Sequence, residues 1–208
     1  MTRRFALICL LVFAPYIAAE SNFVAVKLPR GVELQLPKGW WLLTAEHNQI
    51  ISTSAEAAMD LSGIKGLEGT MVNLIAANSM PRTTYAAVRV NSTTPVSGPP
   101  SEISNMTSAD MQAYRTEMQS NLQKLLPQQG NQLMTLFGVR RESISGYPAL
   151  ITDYRRSGPN GPVIVSAVTV FTPSQDLQII LSYRESEQVI WKSVIGKVYQ
   201  SIVIRRWP

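Results

Sequence analysis

Histidine and cysteine, the side chains most often used in catalytic relays and zinc sites, are almost absent from this sequence. His47 is the only histidine and Cys9 the only cysteine among the 208 residues. A relay from a nucleophile through a histidine to a carboxylate would have to use His47, which lies in the predicted turn "AEHNQ". Zinc sites draw on several histidine and cysteine ligands. We therefore expect no metal site and no such relay.

The carboxylates and glycines also lack the spacing of a catalytic or phosphate-binding motif. Glu185 and Glu187, the closest acidic pair, stand at the start of a predicted helix, where negative charge is favourable. The segment "GIKGLEG" (63–69) has three glycines but no Gly-Lys-Ser/Thr ending and no strand-to-helix setting. We expect no catalytic residue and no cofactor.

The first nineteen residues are typical of a secretory signal peptide. Arg3 and Arg4 supply the positive start, "FALICLLVF" (5–13) the short apolar stretch, and residues 18 and 19 a site for cleavage. The apolar stretch is too short to span a bilayer, and Cys9 is removed with it. An uncleaved anchor is the alternative. In both cases we expect a periplasmic or secreted protein.

Residues 20–208 fit one domain with a mild positive charge. The whole chain has a formal net charge of +5, of which Arg3 and Arg4 contribute two, so +3 remains. The basic residues are scattered, apart from a few pairs, and lack the interleaved aromatics of nucleic-acid-binding surfaces. No second long apolar stretch occurs. We expect no nucleic-acid partner and no transmembrane segment after signal cleavage.

The first part of the mature chain has the alternation of β-strands and one short helical segment. "FVAVKL" (23–28) and "VELQL" (32–36) flank a turn, and "GWWLLT" (39–44) follows a second turn. Two further strands are predicted at 70–78 and 84–92. A short helix is predicted at 53–62, between a Thr or Ser cap and a glycine.

The clearest helix is predicted at 108–126. Its apolar residues recur at spacings of three and four, Thr107 or Ser108 can cap its start, and Pro127 ends it. The preceding segment, 93–105, is rich in Pro, Ser and Thr and is predicted to be a long loop.

From residue 133 the chain is predicted to form four strands and a final helix. The strands are "QLMTLFGVRRESI", "YPALITDYRR", "VIVSAVTVFT" and "DLQIILSYR", and their short links imply antiparallel hairpins. The final helix is predicted at 187–204, with Ser186 as its cap. Its apolar stripe is expected to be Ile190, Val194, Val198 and Ile202, widened by Trp191, Ile195 and Tyr199.

The last two strands indicate how the layers are arranged. "VIVSAVTVF" and "DLQIILSY" are apolar on both faces, so both faces of their sheet should be covered, and the helices at 108–126 and 187–204 are available. We predict an α+β fold, a three-layer α/β/α sandwich with a central, mostly antiparallel sheet. Trp40 and Trp41 would point to opposite faces, one under each layer; the alternative is an exposed tryptophan that anchors a partner.

Three stretches resemble the PsbP-like α/β/α-sandwich superfamily. They are "VELQLPKGWWLLT", "SGYPALITDYRR" and the closing hairpin with its helix, "VFTPSQDLQIILSYRESEQVIWKSVIGKVYQSIVI". They occur in order over much of the mature chain, and none is a catalytic motif. The resemblance implies the sandwich fold and a binding or accessory role rather than an enzymatic one. It does not identify a partner.

We expect an exported, non-catalytic binding or accessory protein that engages a protein or envelope partner. The mild positive charge fits an anionic partner, such as a lipid headgroup, an acidic protein or a cell-wall polymer. The alternative is a carrier of a small apolar or amphipathic ligand between the sheet and the 108–126 helix; an enzyme comes third. The candidate binding residues are Trp40, Trp41, Arg140, Arg141, Arg155 and Arg156, with the 93–105 loop and Trp207 beside them.

Overall fold

The computed structural model describes residues 22–43 and 70–206. The signal peptide predicted at 1–19, the helix predicted at 53–62, His47 and Trp207 lie outside these residues. The described strands are β1 (Phe23–Lys27), β2 (Val32–Pro37), β3 (Trp41–Leu42), β4 (Thr70–Asn78), β5 (Ala86–Thr94), β6 (Leu133–Ile144), β7 (Tyr147–Arg156), β8 (Val163–Phe171), β9 (Asp176–Arg184) and β10 (Val203–Ile204). The described helices are α1 (Pro100–Asn105), α2 (Ser108–Leu125) and α3 (Gln188–Gln200).

The strands form two antiparallel sheets. The central sheet has the order β3-β4-β5-β9-β8-β7-β6, and a small sheet has the order β1-β2-β10. The four strands after residue 133 pair in sequence as antiparallel neighbours. Their shortest link is Ser145 and Gly146, which both have positive φ, 53° and 85°, as a type I′ hairpin turn requires. The predicted hairpins are confirmed.

One face of the central sheet packs against α3 and the small sheet. Leu177, Ile179 and Leu181 of β9 point to this face, as do Val168 and Val170 of β8. The alternation follows from the two-residue period of a strand and agrees with the prediction. These side chains form one cluster with Trp191, Ile195 and Val198 of α3 and Val32, Leu34 and Leu36 of β2.

The other face of the central sheet is covered by α2. Thr107 caps this helix: its hydroxyl oxygen accepts from the Asp110 N–H, and the Asp110 carboxylate accepts from the Thr107 N–H. This capping box satisfies two amides that would otherwise lack partners, and the predicted helix is confirmed. The cluster beneath it consists of Met118, Leu122, Leu125, Leu126, Tyr154, Val163 and Val165.

The final helix is shorter than predicted, and one residue of its predicted apolar stripe is exposed. It ends at Gln200, because Val203–Ile204 leave the helix and pair with β2. Ser186, the predicted cap, lies in a 3-10 turn, and no side chain caps the helix. Ile190, expected in the buried stripe, is 54% exposed. The stripe that is buried consists of Trp191, Ile195 and Val198.

The segment predicted as a loop at 93–105 is partly regular structure. Its first two residues complete β5, and Pro100–Asn105 forms α1, with proline at a position where a helix needs no amide donor. Between them, the Ser97 N–H and hydroxyl both donate to the carboxylate of Asp176 at the start of β9. The loop prediction is therefore wrong for Pro100–Asn105.

Together these elements give three layers. Helix α2 lies on one face of the central sheet, and α3 lies on the other beside the small sheet. The predicted α+β, three-layer α/β/α sandwich with a mostly antiparallel central sheet is confirmed. The third strand of the small sheet, β10, was not predicted, because its residues were assigned to the final helix.

Candidate binding surface

A shielded carboxylate joins the start of α3 to the turn between β4 and β5. Glu187 accepts through Oε2 from the Tyr85 N–H at 2.8 Å and from Nε1–H of Trp191 at 3.1 Å. Arg184 donates to the other carboxylate oxygen and, at 3.3 Å, to the Thr83 carbonyl. The Arg184 and Glu187 side chains are only 16% and 15% exposed. Such shielded, charge-assisted bonds hold the two segments in one geometry.

The two adjacent tryptophans have different surroundings. Trp40 packs in the cluster under α3, where its ring meets Trp191 edge-on, with centroids 5.8 Å apart and planes at 81°. Trp41 lies on β3 at the margin of the central sheet, and the Arg82 guanidinium lies 4.4 Å from its ring centroid. Both tryptophans are half-buried. The expectation of a tryptophan beneath a helical layer is confirmed for Trp40.

Exposed apolar side chains occur on the three segments that these contacts join. Leu42 of β3, Met80 of the β4–β5 turn, and Val189 and Ile190 of α3 are 53%, 45%, 93% and 54% exposed. We call these four residues the apolar end. Isolated exposed apolar residues are normal on protein surfaces, whereas a group of them marks an interaction site.

Two exposed cations lie on the same segments as the apolar end. The exposed Arg82 stacks on Trp41 beside β3, and the exposed Lys192 lies three residues after Val189. Residues three apart are neighbours on a helix surface, so Lys192 and Val189 share the outer side of α3. An apolar centre with a cationic margin is complementary to a surface with an apolar centre and an acidic margin.

The candidate arginines Arg140 and Arg155 are paired with carboxylates. Arg140 donates through Nε to Glu142 at 2.6 Å and through Nη1 to Asp153. Nη1 of Arg155 lies 3.3 Å from an oxygen of Glu185. These pairs are partly exposed, so they contribute little to stability. The carboxylates nevertheless neutralise part of the positive charge of both arginines, which the sequence alone does not reveal.

Glu142 also links the edge of the central sheet to α3. The Tyr199 hydroxyl donates to its second oxygen. This bond, followed by the Arg140 guanidinium, lowers the pKa of Glu142, while burial and the same bond raise the pKa of Tyr199 to about 12. The hydroxyl therefore remains a proton donor at neutral pH.

Arg141 and Arg156 hold the main chain in place. Nη1 of Arg141 donates to three carbonyls at the end of α1 and just after it, at 2.6 to 3.1 Å. Nη1 of Arg156 donates to Oδ1 of Asn131 at 2.8 Å and to the Ser157 carbonyl at 2.9 Å. All four candidate arginines thus have partners within the fold, and their part in binding stays a prediction.

Arg89 is a half-buried cation that sequence reasoning missed. Its Nη1 donates to the carbonyls of Ala77 and Val88 at 2.8 and 3.0 Å, and its Nη2 donates to Oδ1 of Asn78 at 2.8 Å. Burial lowers the pKa of Arg89. The side chain fastens β5 to β4 next to the apolar end, and a single arginine in an alternating strand gives no sequence signal for this role.

Amide side chains form a second unpredicted polar feature. Asn73, Asn91 and Gln178 are successive register partners on β4, β5 and β9. Both amide atoms of Asn73 and Asn91, and Oε1 of Gln178, are buried without a hydrogen-bond partner in the described chain. Buried amides are usually paired with protein groups or ordered water, so this row is a polar interruption of the core.

Five carboxylates of the described chain form ion pairs with arginines. Besides the pairs of Arg140 and Arg155, ion pairs join Glu33 to Arg205 and Glu187 to Arg184. No group of three or more His, Cys, Asp or Glu residues within 22–43 and 70–206 could hold a metal ion. Over the same residues, no helix is long and apolar enough to cross a membrane.

The chain is similar in structure to several solved proteins. The cyanobacterial PsbP protein CyanoP from Synechocystis sp. PCC 6803 has 14% sequence identity and a TM-score of 0.54, covering 93% of this chain and 99% of that one. A protein of unknown function from Pseudomonas aeruginosa has 15% identity and a TM-score of 0.42, covering 90% and 100%. LpqN, involved in cell envelope biogenesis of Mycobacterium tuberculosis, has 14% identity and a TM-score of 0.46, covering 88% and 91%.

Sequence comparison adds no relative to this set, because no family model and no curated protein matches the chain. At 14% identity, the likeness to CyanoP concerns the fold alone. It extends over nearly the whole of both chains and agrees with the three layers described above. The chain therefore has the PsbP-like α/β/α-sandwich fold.

Proposed function

We propose that this chain is an exported, non-catalytic binding protein that engages a protein partner through the apolar end. The observation that carries the proposal is the position of Val189 and Ile190. They are 93% and 54% exposed, although the next residue, Trp191, is buried. A helix that turns two large aliphatic side chains outward beside a fixed tryptophan presents an anchor for a partner.

The apolar end is held in place before any partner arrives. Glu187 accepts hydrogen bonds from Tyr85 and Trp191, and Trp191 packs on Trp40. These contacts fix the first turn of α3, which carries Val189. A surface that is already ordered loses less conformational entropy on binding, so more of the contact energy appears as affinity.

The charges beside the apolar end favour a protein partner with an acidic margin. Arg82 is exposed on the β4–β5 turn, which carries Met80, and Lys192 is exposed on α3, which carries Val189 and Ile190. Cations at the margin of an interface accelerate association and select partners of opposite charge. Export is supported by the signal peptide predicted at 1–19, and a binding role rather than catalysis by the lack of a catalytic motif in the sequence.

The alternative, a ligand carried between the sheet and α2, has less support. Met118, Leu122 and Leu125 of α2 are buried there against Tyr154, Val163 and neighbouring side chains. A ligand in this position would have to displace a packed cluster, which is costly because protein interiors are close-packed. The described side chains therefore favour a binding site on the surface of α3 over one between α2 and the sheet.

The test is an affinity capture from the native envelope with the mature chain as bait. Val189→Glu places a charge at the centre of the apolar end, and Val24→Glu makes the same change at a 42% exposed position on β1. We expect recovery of the captured protein to fall at least about tenfold for Val189→Glu, with Val24→Glu unchanged. Equal recovery by the two variants, at matched melting temperatures, would contradict the proposal.

A further inference from the structure

We propose that a cleft at the opposite end of β9 binds a small organic anion with an apolar body. The apolar end adjoins the last residues of β9, whereas this cleft adjoins its first residues, so the site is separate from the proposed partner surface. Its volume is about 600 Å³, within the range of about 300–1,000 Å³ typical of small-molecule sites. Its lining includes Tyr147, Pro173, Ser174, Gln175, Arg205 and Arg206.

One wall of the cleft is a rigid turn between β8 and β9. Gln175 is only 2% exposed; its Nε2 donates to the Arg30 carbonyl at 2.9 Å, and its Oε1 accepts from the Ser92 hydroxyl at 2.7 Å. The Thr172 hydroxyl closes the turn by donating to the Gln175 carbonyl at 2.6 Å and accepting from its N–H at 3.1 Å. A wall tied to two other segments and closed by its own hydrogen bonds needs no ordering on binding.

The opposite wall is fixed by the chain segment after β10. The Arg205 N–H donates to the Gly31 carbonyl at 2.8 Å. Gly31 has a φ of +76°, and a Cβ there would lie 2.6 Å from the Arg205 carbonyl oxygen, so this close approach requires glycine. The Arg205 guanidinium is paired with Glu33 through bonds of 2.8 and 3.1 Å. Its charge is therefore compensated, and it serves as part of the wall.

Arg206 supplies the charge that selects the ligand. It is exposed and, within the described chain, forms no hydrogen bond or ion pair. A guanidinium presents several N–H donors in the plane that matches a carboxylate, sulfonate or phosphate group. Tyr147 and Pro173 offer apolar surface beside it. The pairing of one free cation with an aromatic and a proline fits an anion that carries an aromatic or aliphatic body.

The test compares two dyes by fluorescence titration of the mature chain. Anilinonaphthalene sulfonate carries an anionic group on an aromatic body, and phenylnaphthylamine has a similar body without the charge. Arg206→Glu reverses the free charge in the cleft, and Arg115→Glu makes the same change at an exposed position on α2. We expect Arg206→Glu to weaken binding of the anionic dye at least about tenfold, while Arg115→Glu leaves it unchanged.

Two further results decide the interpretation. Ser174→Trp places a bulky side chain in the cleft from an exposed turn position, so it should abolish saturable binding of both dyes without lowering the melting temperature. Phenylnaphthylamine should bind more weakly than the anionic dye and respond equally to both arginine variants. The proposal is overturned if Arg206→Glu and Arg115→Glu bind the anionic dye alike, or if its binding survives Ser174→Trp.

Discussion

Trp40 and Trp191 meet edge to face, with ring centroids 5.8 Å apart and ring planes at 81°. The pair joins the strand segment that begins the central sheet to the first turn of α3. Edge-to-face aromatic pairs contribute about 0.5–1.5 kcal/mol beyond the area that they bury. The two residues come from stretches that resemble the PsbP-like superfamily, so the contact explains how those stretches specify the position of α3.

The tryptophan pair can be measured by a double-mutant cycle. Trp40→Leu and Trp191→Leu should each destabilise the protein, and the double variant should lose about 0.5–1.5 kcal/mol less than the sum of the two. Urea unfolding followed by circular dichroism gives the free energy of unfolding for each variant. Strict additivity would show that the rings do not stabilise one another.

Glu187 should be far more important for stability than its neighbour Glu185. Glu187→Ala leaves the shielded Arg184 without its carboxylate and should cost about 3–5 kcal/mol. Glu185→Ala breaks an ion pair with Arg155 whose side chains are about a third exposed, and should cost less than about 1 kcal/mol. Urea unfolding gives the free energy of unfolding of both variants. Similar losses of stability would show that Glu187 does not hold α3 to the β4–β5 turn.

Asp176 should make stability fall as pH rises. Burial raises the pKa of its carboxyl group, against the opposing effect of its hydrogen bonds from Ser97. The folded state therefore holds the proton more tightly than the unfolded state, so stability is greatest below the unfolded pKa of about 3.9. It declines as pH increases through the raised folded value. Carboxylates with a lowered pKa, such as Glu142, change stability in the opposite direction, so the contribution of Asp176 is measured by thermal unfolding against a variant that lacks its carboxyl group.

Asp176→Asn is the control for that pH dependence, because its amide does not titrate. The wild-type chain should lose stability relative to Asp176→Asn as pH rises from the unfolded pKa through the folded pKa. A difference that stays constant across the range, or one that changes in the opposite direction, would contradict the assignment to Asp176.

The Thr107 cap should stabilise the protein, although threonine has a lower helix propensity than alanine. Thr107→Ala removes the side chain that accepts from the Asp110 N–H and should cost about 1 kcal/mol. Thr116, inside α2, donates only to the Gln112 carbonyl of its own helix. Thr116→Ala should be neutral or slightly stabilising, because alanine is the better helix former. A lower melting temperature for Thr107→Ala, together with an unchanged or higher one for Thr116→Ala, would confirm the cap. Equal changes in the two variants would argue against it.

The sequence predicted the central sheet well because the relevant signal is local. Val168 and Ile179 alternate with their neighbours at the two-residue period of a strand, and both lie on the predicted face. The spacing of Met118 and Leu122 likewise placed α2 correctly. In each case the period of the strand or helix relates the facing of one residue to that of another only a few positions away.

The edge of the buried stripe and the end of α3 could not be obtained in the same way. Periodicity places both Ile190 and Trp191 in the stripe, whereas only Trp191 packs on Trp40 and Ile190 is 54% exposed. The helix ends early because Val203 pairs with Glu33, a partner far away in sequence. Periodicity carries no information about such a pairing.

The candidate surface was found only in part. Trp40 was singled out from its position in the strand, and the structure gives it a packing role beside the apolar end. No sequence pattern marks Val189 as exposed, and periodicity places Ile190 in the buried stripe. Charge makes Arg140 a candidate, but charge in a sequence does not reveal a partner such as Asp153 on the adjacent strand.

The most direct test of the account places a photo-crosslinking amino acid at position 189 of the exported chain in its native envelope. The same residue at position 24, on β1, is the control, since both positions are exposed. We predict one discrete protein adduct from position 189 that is absent from position 24 and is lost when Ile190→Glu is added. The same adducts from both positions, or only lipid adducts from position 189, would contradict the claim that the apolar end is a protein-binding surface.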